Sequence, residues 1–136
     1  MFRKLDEKVS VAGQIRPEDV AQAKALGFTA IVNNRPEGEE PGQPTGAEIE
    51  AAAKAAGLTY RAIPITPGGF SEAQVEDMRA ALADADGPLL AFCRSGTRST
   101  NLWALARSRM GENGASLTEK AAAQGYDLSG LRHLLD

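Results

Sequence analysis

Cysteine is almost missing from this chain: among 136 residues there is one, Cys93. A single cysteine excludes an intramolecular disulfide framework and argues against a zinc site, so no metal is expected. Histidine is as scarce, with His133 alone near the end of the sequence. A surface or packing role fits that position better than a catalytic one, and a papain-like Cys-His-Asn arrangement has no other histidine to draw on. Aromatic residues make up 5% and no basic run occurs, which removes the usual footprint of nucleic-acid binding. No apolar stretch approaches bilayer-spanning length. Arg3 and Lys4 are not followed by the apolar core of a signal peptide. Internal repeats and low-complexity tracts are also missing. The expectation is one domain over residues 1–136, cytoplasmic and reduced, with no cofactor, no membrane association and no nucleic-acid partner.

What the chain does have is a stretch from Pro88 to Ser99 that reads in three parts. Leu89 to Phe92 is a short continuous apolar run, the pattern of a strand buried on both faces. Cys93 to Arg98 is a polar loop with Gly96 inside it. From Ser99 onward, Leu102, Trp103, Leu105, Ala106 and Met110 recur at helical spacing, which predicts a helix starting at or just after Arg98. Strand, tight loop and helix N-terminus together make an anion site, because the first helical amides lack intrahelical partners and carry partial positive charge. Helix N-termini and neighbouring cations also favour the thiolate over the thiol. Cys93 is therefore the candidate nucleophile and Arg98 the candidate oxyanion clamp. Arg94, Ser95, Gly96, Thr97 and Ser99 are candidate anion-binding residues, through amides 94 to 98 and through a Ser99 hydroxyl that bonds the thiolate or caps the helix.

The rest of the chain alternates strand and helix patterns. Lys8 to Ile15 predicts a short alternating strand at a sheet edge. Pro17 opens a helix stopped by Gly27, and Phe28 to Val32 predicts a central strand. Asn33 to Pro44 is a long Pro/Gly-rich loop, and long loops in compact domains are often functional. In a parallel sheet it leaves the same edge as Cys93, so Arg35, Glu37, Glu39 and Glu40 are placed to reach the site, with Arg35 and Glu37 the leading candidates. Thr45/Glu48 and Ser71/Gln74 have the spacing of capping boxes for two further helices, with a strand at about 59–63 between them. Ser116 and Glu119 suggest the cap of another helix, and Leu128, Leu131, Leu134 and Leu135 an apolar final turn or two. This order predicts an α/β fold: a mostly parallel sheet of four to five strands with helices on both faces.

The cysteine loop, its strand and the element order resemble the dual-specificity tyrosine phosphatase fold. More closely, Val11 to Ile15, Asn33 to Glu39, Cys93 to Ser99 and Gln124 to Leu128 resemble the bacterial beta-lactamase-hydrolase-like phosphatase family. Small proteins of that family are also described as sulfur transferases. Two departures from the phosphatase pattern stand out. Tyrosine phosphatases resemble one another in having five residues between cysteine and arginine, whereas four separate Cys93 from Arg98. Phe92 stands where those enzymes usually have histidine. Cys-Arg-Ser-Gly-Thr-Arg-Ser is instead similar to the active loop of single-domain rhodaneses, which carry sulfur as a cysteine persulfide.

The leaving group points the same way. Phosphatases of this fold typically place an aspartate on a loop upstream of the cysteine strand, to protonate the departing oxygen. The corresponding loop, Thr66 to Phe70, carries no carboxylate. Sulfite and thiolates leave without protonation. The resemblance therefore implies a sulfurtransferase using a Cys93 persulfide, with a small anionic sulfur donor and a thiol acceptor. The alternative is a phosphatase acting on a phosphorylated substrate through a phosphocysteine, and a non-catalytic binder of anionic partners is the third reading.

Overall fold

The computed structural model describes residues 2–135. Five strands form one sheet: β1 (Arg3–Lys4), β2 (Val9–Ala12), β3 (Ala30–Asn33), β4 (Thr59–Ala62) and β5 (Leu89–Phe92). Their spatial order is β1-β2-β5-β3-β4, with β1 antiparallel to β2 and the other pairs parallel. The helices are α1 (Pro17–Ala25), α2 (Gly46–Ala55), α3 (Glu72–Asp84), α4 (Thr97–Arg109) and α5 (Gly114–Ala123), followed by a 3-10 turn, Ser129–Leu134. None of them is long and apolar enough to cross a membrane.

The cysteine strand is the middle of the sheet. All four β5 residues are buried, and the period-two alternation of a strand sends them to two cores. Leu90 and Phe92 join Ile15, Val20, Ile31 and Ile49 on the face covered by α1 and α2. Leu89 and Ala91 join Val32, Met78, Leu102 and Trp103 on the face covered by α3, α4 and α5. A strand covered on both faces must be apolar throughout, which is why this run reads so clearly in the sequence. The α/β class and the mostly parallel, two-sided sheet are as expected.

Several local expectations shift. The strand predicted at the edge, β2, lies between β1 and β5 and is buried at all four positions. Its outer neighbour β1 is two residues long, too short to show any periodicity. The second strand starts at Ala30 and takes in Asn33, whose carbonyl accepts from Ile63 N–H at 2.9 Å. Helix α5 starts at Gly114, with Asn113 as its cap: Asn113 Oδ1 accepts from Ala115 N–H at 2.7 Å. Ser116, expected as that cap, donates instead to Glu112 Oε2 at 3.3 Å. In the final turn Leu135 is buried but Leu134 is 54% exposed, at the end of the six-residue 3-10 segment. The Ser71/Gln74 capping box forms in both directions, at 3.2 and 2.8 Å.

Parallel pairing also sets the site. Ala12, Phe92 and Asn33 are level in the register, so the residues that follow them leave the sheet side by side. Those residues are Gly13, Cys93 and Asn34.

Candidate active site

Helix α4 begins at Thr97, earlier than the sequence suggests. Gly96 is its N-cap, at φ +92°, a left-handed conformation that glycine adopts without strain. Only Arg94, Ser95 and Gly96 separate Cys93 from the helix, so the turn is tight. Cys93 is fully buried, and Gly96 N–H donates to its Sγ at 3.1 Å. This is the amide–sulfur contact that stabilises negative charge on sulfur.

Three of the loop's carbonyls are held in place. Arg94 O accepts from Gln14 N–H at 3.3 Å, Ser95 O from the Tyr126 hydroxyl at 3.1 Å, and Gly96 O from Thr100 N–H at 2.9 Å. Gly13 allows the first of these segments to come close: a Cβ there would sit 3.0 Å from Arg94 O. Thr97 and Ser95 place their hydroxyls 3.1 Å apart.

Arg98 falls in the first turn of α4 and reaches across to the 33–44 loop. Its Nη1 and Nη2 donate to Glu39 Oε2 and Oε1, both at 2.8 Å, and Nη1 also donates to Ile65 O at 2.6 Å. Glu39 receives a second guanidinium: Arg35 Nε donates to Oε1 at 2.8 Å. Arg35 is a buried brace with 1% of its side chain exposed, bonded also to Glu40 at 3.0 Å and to Gln14 Oε1 at 3.1 Å. The Arg98 hydrogen bond, reinforced by that from Arg35, outweighs burial and brings the Glu39 carboxyl down to about 2. Arg98 is raised in turn, by its bond to Glu39 first, against burial, and with help from the Glu39 and Cys93 charges. Glu39 is therefore ionised at neutral pH and has no proton to give.

The other predicted residues divide. Arg94 stands at the rim, its side chain 66% exposed and 3.6 Å from Glu40. Glu37 does not face the cysteine: its carboxylate accepts from Gly46 N–H at 2.9 and 3.1 Å and closes the N-terminus of α2. Ser99 neither bonds the sulfur nor caps the helix. Because α4 starts at Thr97, Ser99 lies one turn in and donates to Asn34 Oδ1 at 2.8 Å, while Asn34 Nδ2 donates to Ile63 O at 3.0 Å. His133 is exposed in the terminal turn. Sequence reasoning missed Gln14, Asn34 and Tyr126 as parts of the assembly. Asn34 left a signal, an amide just after the apolar run of β3, and the structure buries it fully. Among the described residues, no group of three or more His, Cys, Asp or Glu is placed to hold a metal ion.

The arrangement is thus one buried sulfur, the candidate nucleophile, one amide aimed at it, and one arginine engaged by a carboxylate. Three of the five Arg98 N–H donors go to Glu39 and Ile65, and the guanidinium also faces the Cys93 sulfur. Several known proteins are similar to this chain. A Neisseria meningitidis protein of known structure, described as a candidate phosphatase, is 34% identical, with a TM-score of 0.85 over 98% of this chain and 95% of its own. Kinase associated phosphatase, at 13% identity, shares the fold alone, with a TM-score of 0.75 over 92% of this chain and 81% of its own. The Agrobacterium fabrum beta-lactamase hydrolase-like protein is 35% identical over 92% of this chain, which spans 29% of that longer relative. A Xylella fastidiosa protein of the same name is 34% identical over 91%, again spanning 29% of the relative. Residues 1–110, which contain the whole Cys93 loop and its Glu39 partner, match the family described as beta-lactamase hydrolase-like protein, phosphatase-like domain, and the chain belongs to that family.

Proposed function

We propose that this chain is a cysteine-nucleophile enzyme that forms a covalent adduct on Cys93, and that the transferred group is sulfane sulfur. The Cys93 thiolate attacks the outer sulfur of a donor such as thiosulfate. A new S–S bond forms on Cys93, the donor's S–S bond breaks, and the electron pair departs with sulfite. An acceptor thiolate then attacks the outer sulfur of the Cys93 persulfide and returns the pair to Cys93. No net oxidation occurs and no proton is required by the leaving group. The Gly96 amide stabilises charge on the sulfur as it reacts, and Arg98, which faces the same sulfur, orients the anionic donor.

The observation that carries this reading is the state of Glu39. It is the carboxylate joined to Arg98, and two guanidiniums hold it ionised. Glu37 is committed to α2, and the 66–70 loop has no acid. Glu40 is likewise engaged, by Arg35 Nη2 at 3.0 Å, and a site whose loop carboxylates are all committed suits sulfite or a thiolate and handicaps an alkoxide. The four-residue spacing from cysteine to arginine supports the same choice.

The comparisons weigh toward a second reading, phosphate-ester hydrolysis. The family name is phosphatase-like, and the Neisseria relative is described as a candidate phosphatase. Here Cys93 attacks phosphorus, the P–O bond breaks, and water later cleaves the S–P bond. Activated aryl phosphates, whose phenolates leave readily, are the substrates this site would accept.

Intact mass separates the readings. Reduced protein incubated with thiosulfate is expected to gain one sulfur, on wild type and not on Cys93→Ser, and to lose it to added thiol. No sulfur adduct, together with Cys93-dependent aryl phosphate hydrolysis, establishes the phosphatase reading instead. Neither adduct nor hydrolysis leaves anion binding as the role.

A further inference from the structure

We infer that Tyr126 is a positioning residue for Cys93, acting through the peptide bond between Ser95 and Gly96. The inference rests on Cys93 being the nucleophile and not on which group it transfers. One planar peptide unit carries both contacts. Its carbonyl, Ser95 O, accepts from the Tyr126 hydroxyl at 3.1 Å, and its N–H, on Gly96, donates to Cys93 Sγ at 3.1 Å. In a trans peptide the oxygen and the hydrogen point in opposite directions, so fixing one aims the other. Bonds in series also polarise one another, which strengthens the inner one.

The neighbouring carbonyls have local or backbone holders. Arg94 O is held by a backbone amide from the adjacent chain, and Gly96 O by Thr100 of the same helix. The Ser95–Gly96 peptide is the one fastened by a distant side chain, and it is also the one flanked by a glycine at φ +92°, free to rotate in both directions. Without the outer bond, rotation of this peptide would turn a carbonyl oxygen toward the sulfur in place of the N–H. Tyr126 is itself well anchored. Its ring packs against the larger core, its N–H donates to Ala121 O at 2.9 Å, and the Arg3 guanidinium lies 5.5 Å over the ring. The phenol closes directly over the loop: a Cβ on Gly96 would sit 2.2 Å from its oxygen. Burial raises the phenol above its ordinary value, the Cys93 charge adds to this and Arg3 opposes it, so the hydroxyl stays a donor through the physiological range.

The test uses the fact that the chain has one cysteine. Thiolate absorbance in the ultraviolet is followed against pH, with Cys93→Ser as the blank. In Tyr126→Phe the midpoint of that curve is expected to move to higher pH. A hydrogen bond of ordinary net worth corresponds to roughly five- to tenfold in rate, so covalent loading of Cys93 at neutral pH is expected to slow by about that factor with KM unchanged. A purely structural role would lower the melting temperature without moving the midpoint. A Tyr126→Phe curve superimposable on wild type overturns the inference. A second measurement needs no Tyr126 variant: in wild type the Gly96 amide proton resonance should follow the thiol titration, and a resonance that ignores it also overturns the inference. If wild type loads neither sulfur nor phosphoryl groups, the proposed function fails while the titration still reads Tyr126.

Discussion

Asp6 and Glu39 sit at opposite ends of the same parallel strands, and each is an acid held by arginine. Asp6 precedes β2, at the amino end; Glu39 follows β3, at the carboxyl end. Asp6 Oδ1 accepts from the amides of Lys8 and Val9 at 2.9 and 2.8 Å. Its Oδ2 accepts from Trp103 Nε1 at 2.8 Å and Arg107 Nε at 3.0 Å. Burial pushes its carboxyl up, but the bonds from Trp103, Val9 and Lys8, with the Arg107 charge, bring it below the usual range. Every lone pair is spent on rigid donors, and the result is a staple between the β1–β2 turn and α4. Glu39 is fed by two guanidiniums, one of which also faces the Cys93 sulfur. The same pairing chemistry thus makes a fastening at one end and a working site at the other. Cavity size does not tell them apart. A cavity of about 550 Å³ lies at the Asp6 end, lined by Lys4, Lys8, Arg107 and Lys120 among others, away from Cys93. The two ends differ in whether a reactive atom stands next to the ion pair.

Replacing Asp6 should have the largest structural effect. Asp6→Ala strands four donors, two of them on Trp103 and Arg107, and is expected to cost about 2–4 kcal/mol in urea unfolding. Cys93 loading per folded molecule should change little, because Asp6 lies at the opposite end of the strands from Cys93. Lost loading in a stably folded Asp6 variant would erase the distinction between the two ends.

Acid should act next, through Glu39. Its carboxyl lies at about 2 in the folded chain against an ordinary value of 4.5, so the unfolded chain binds more protons between those values. The stability it supplies is complete above about pH 5 and is lost as pH falls through about 2. Asp6 contributes with the same sign. Unfolding free energies measured across that window should fall less steeply with acid in Glu39→Gln than in wild type. Equal slopes would show that the Arg98–Glu39–Arg35 cluster is not the source.

The smallest effect tests the loop itself. Glu37 and Glu39 are two residues apart, yet one closes a helix and the other meets Arg98. Glu37→Gln keeps an acceptor for Gly46 N–H and loses only the charge at the positive end of α2, a cost of roughly 0.3–1 kcal/mol. Cys93 loading should not change; a clear loss in the transfer assay would place Glu37 in the site after all.

The unequal legibility of these parts has a physical basis. β5 could be read because a strand buried on both faces must be apolar at every position, and Leu89 to Phe92 is. The Ser71 cap could be read because its reciprocal bonds are local in sequence. The start of α4 lies at least one residue, and that of α5 three residues, before the position the sequence suggests, because glycine and asparagine can also cap, and Gly96 and Asn113 take that role. Within the 33–44 loop no periodicity ranks one glutamate over another, so the preference for Glu37 has no physical basis, and Glu39 is the one that meets Arg98. Tyr126 was legible only as part of a recurring stretch, without a task.

By itself, then, the sequence determined the alternation of strands and helices, the buried central strand, and a lone cysteine five residues ahead of an arginine. These follow from interactions within a few residues along the chain. Only the tertiary structure decided that Glu39 neutralises Arg98, that Ser99 serves Asn34, and that Tyr126 holds the peptide behind Cys93. Those partners come from segments remote in sequence. They meet because parallel pairing in the order β2-β5-β3 levels the carboxyl ends of three strands, and because α5 carries its C-terminal turn back over the cysteine loop.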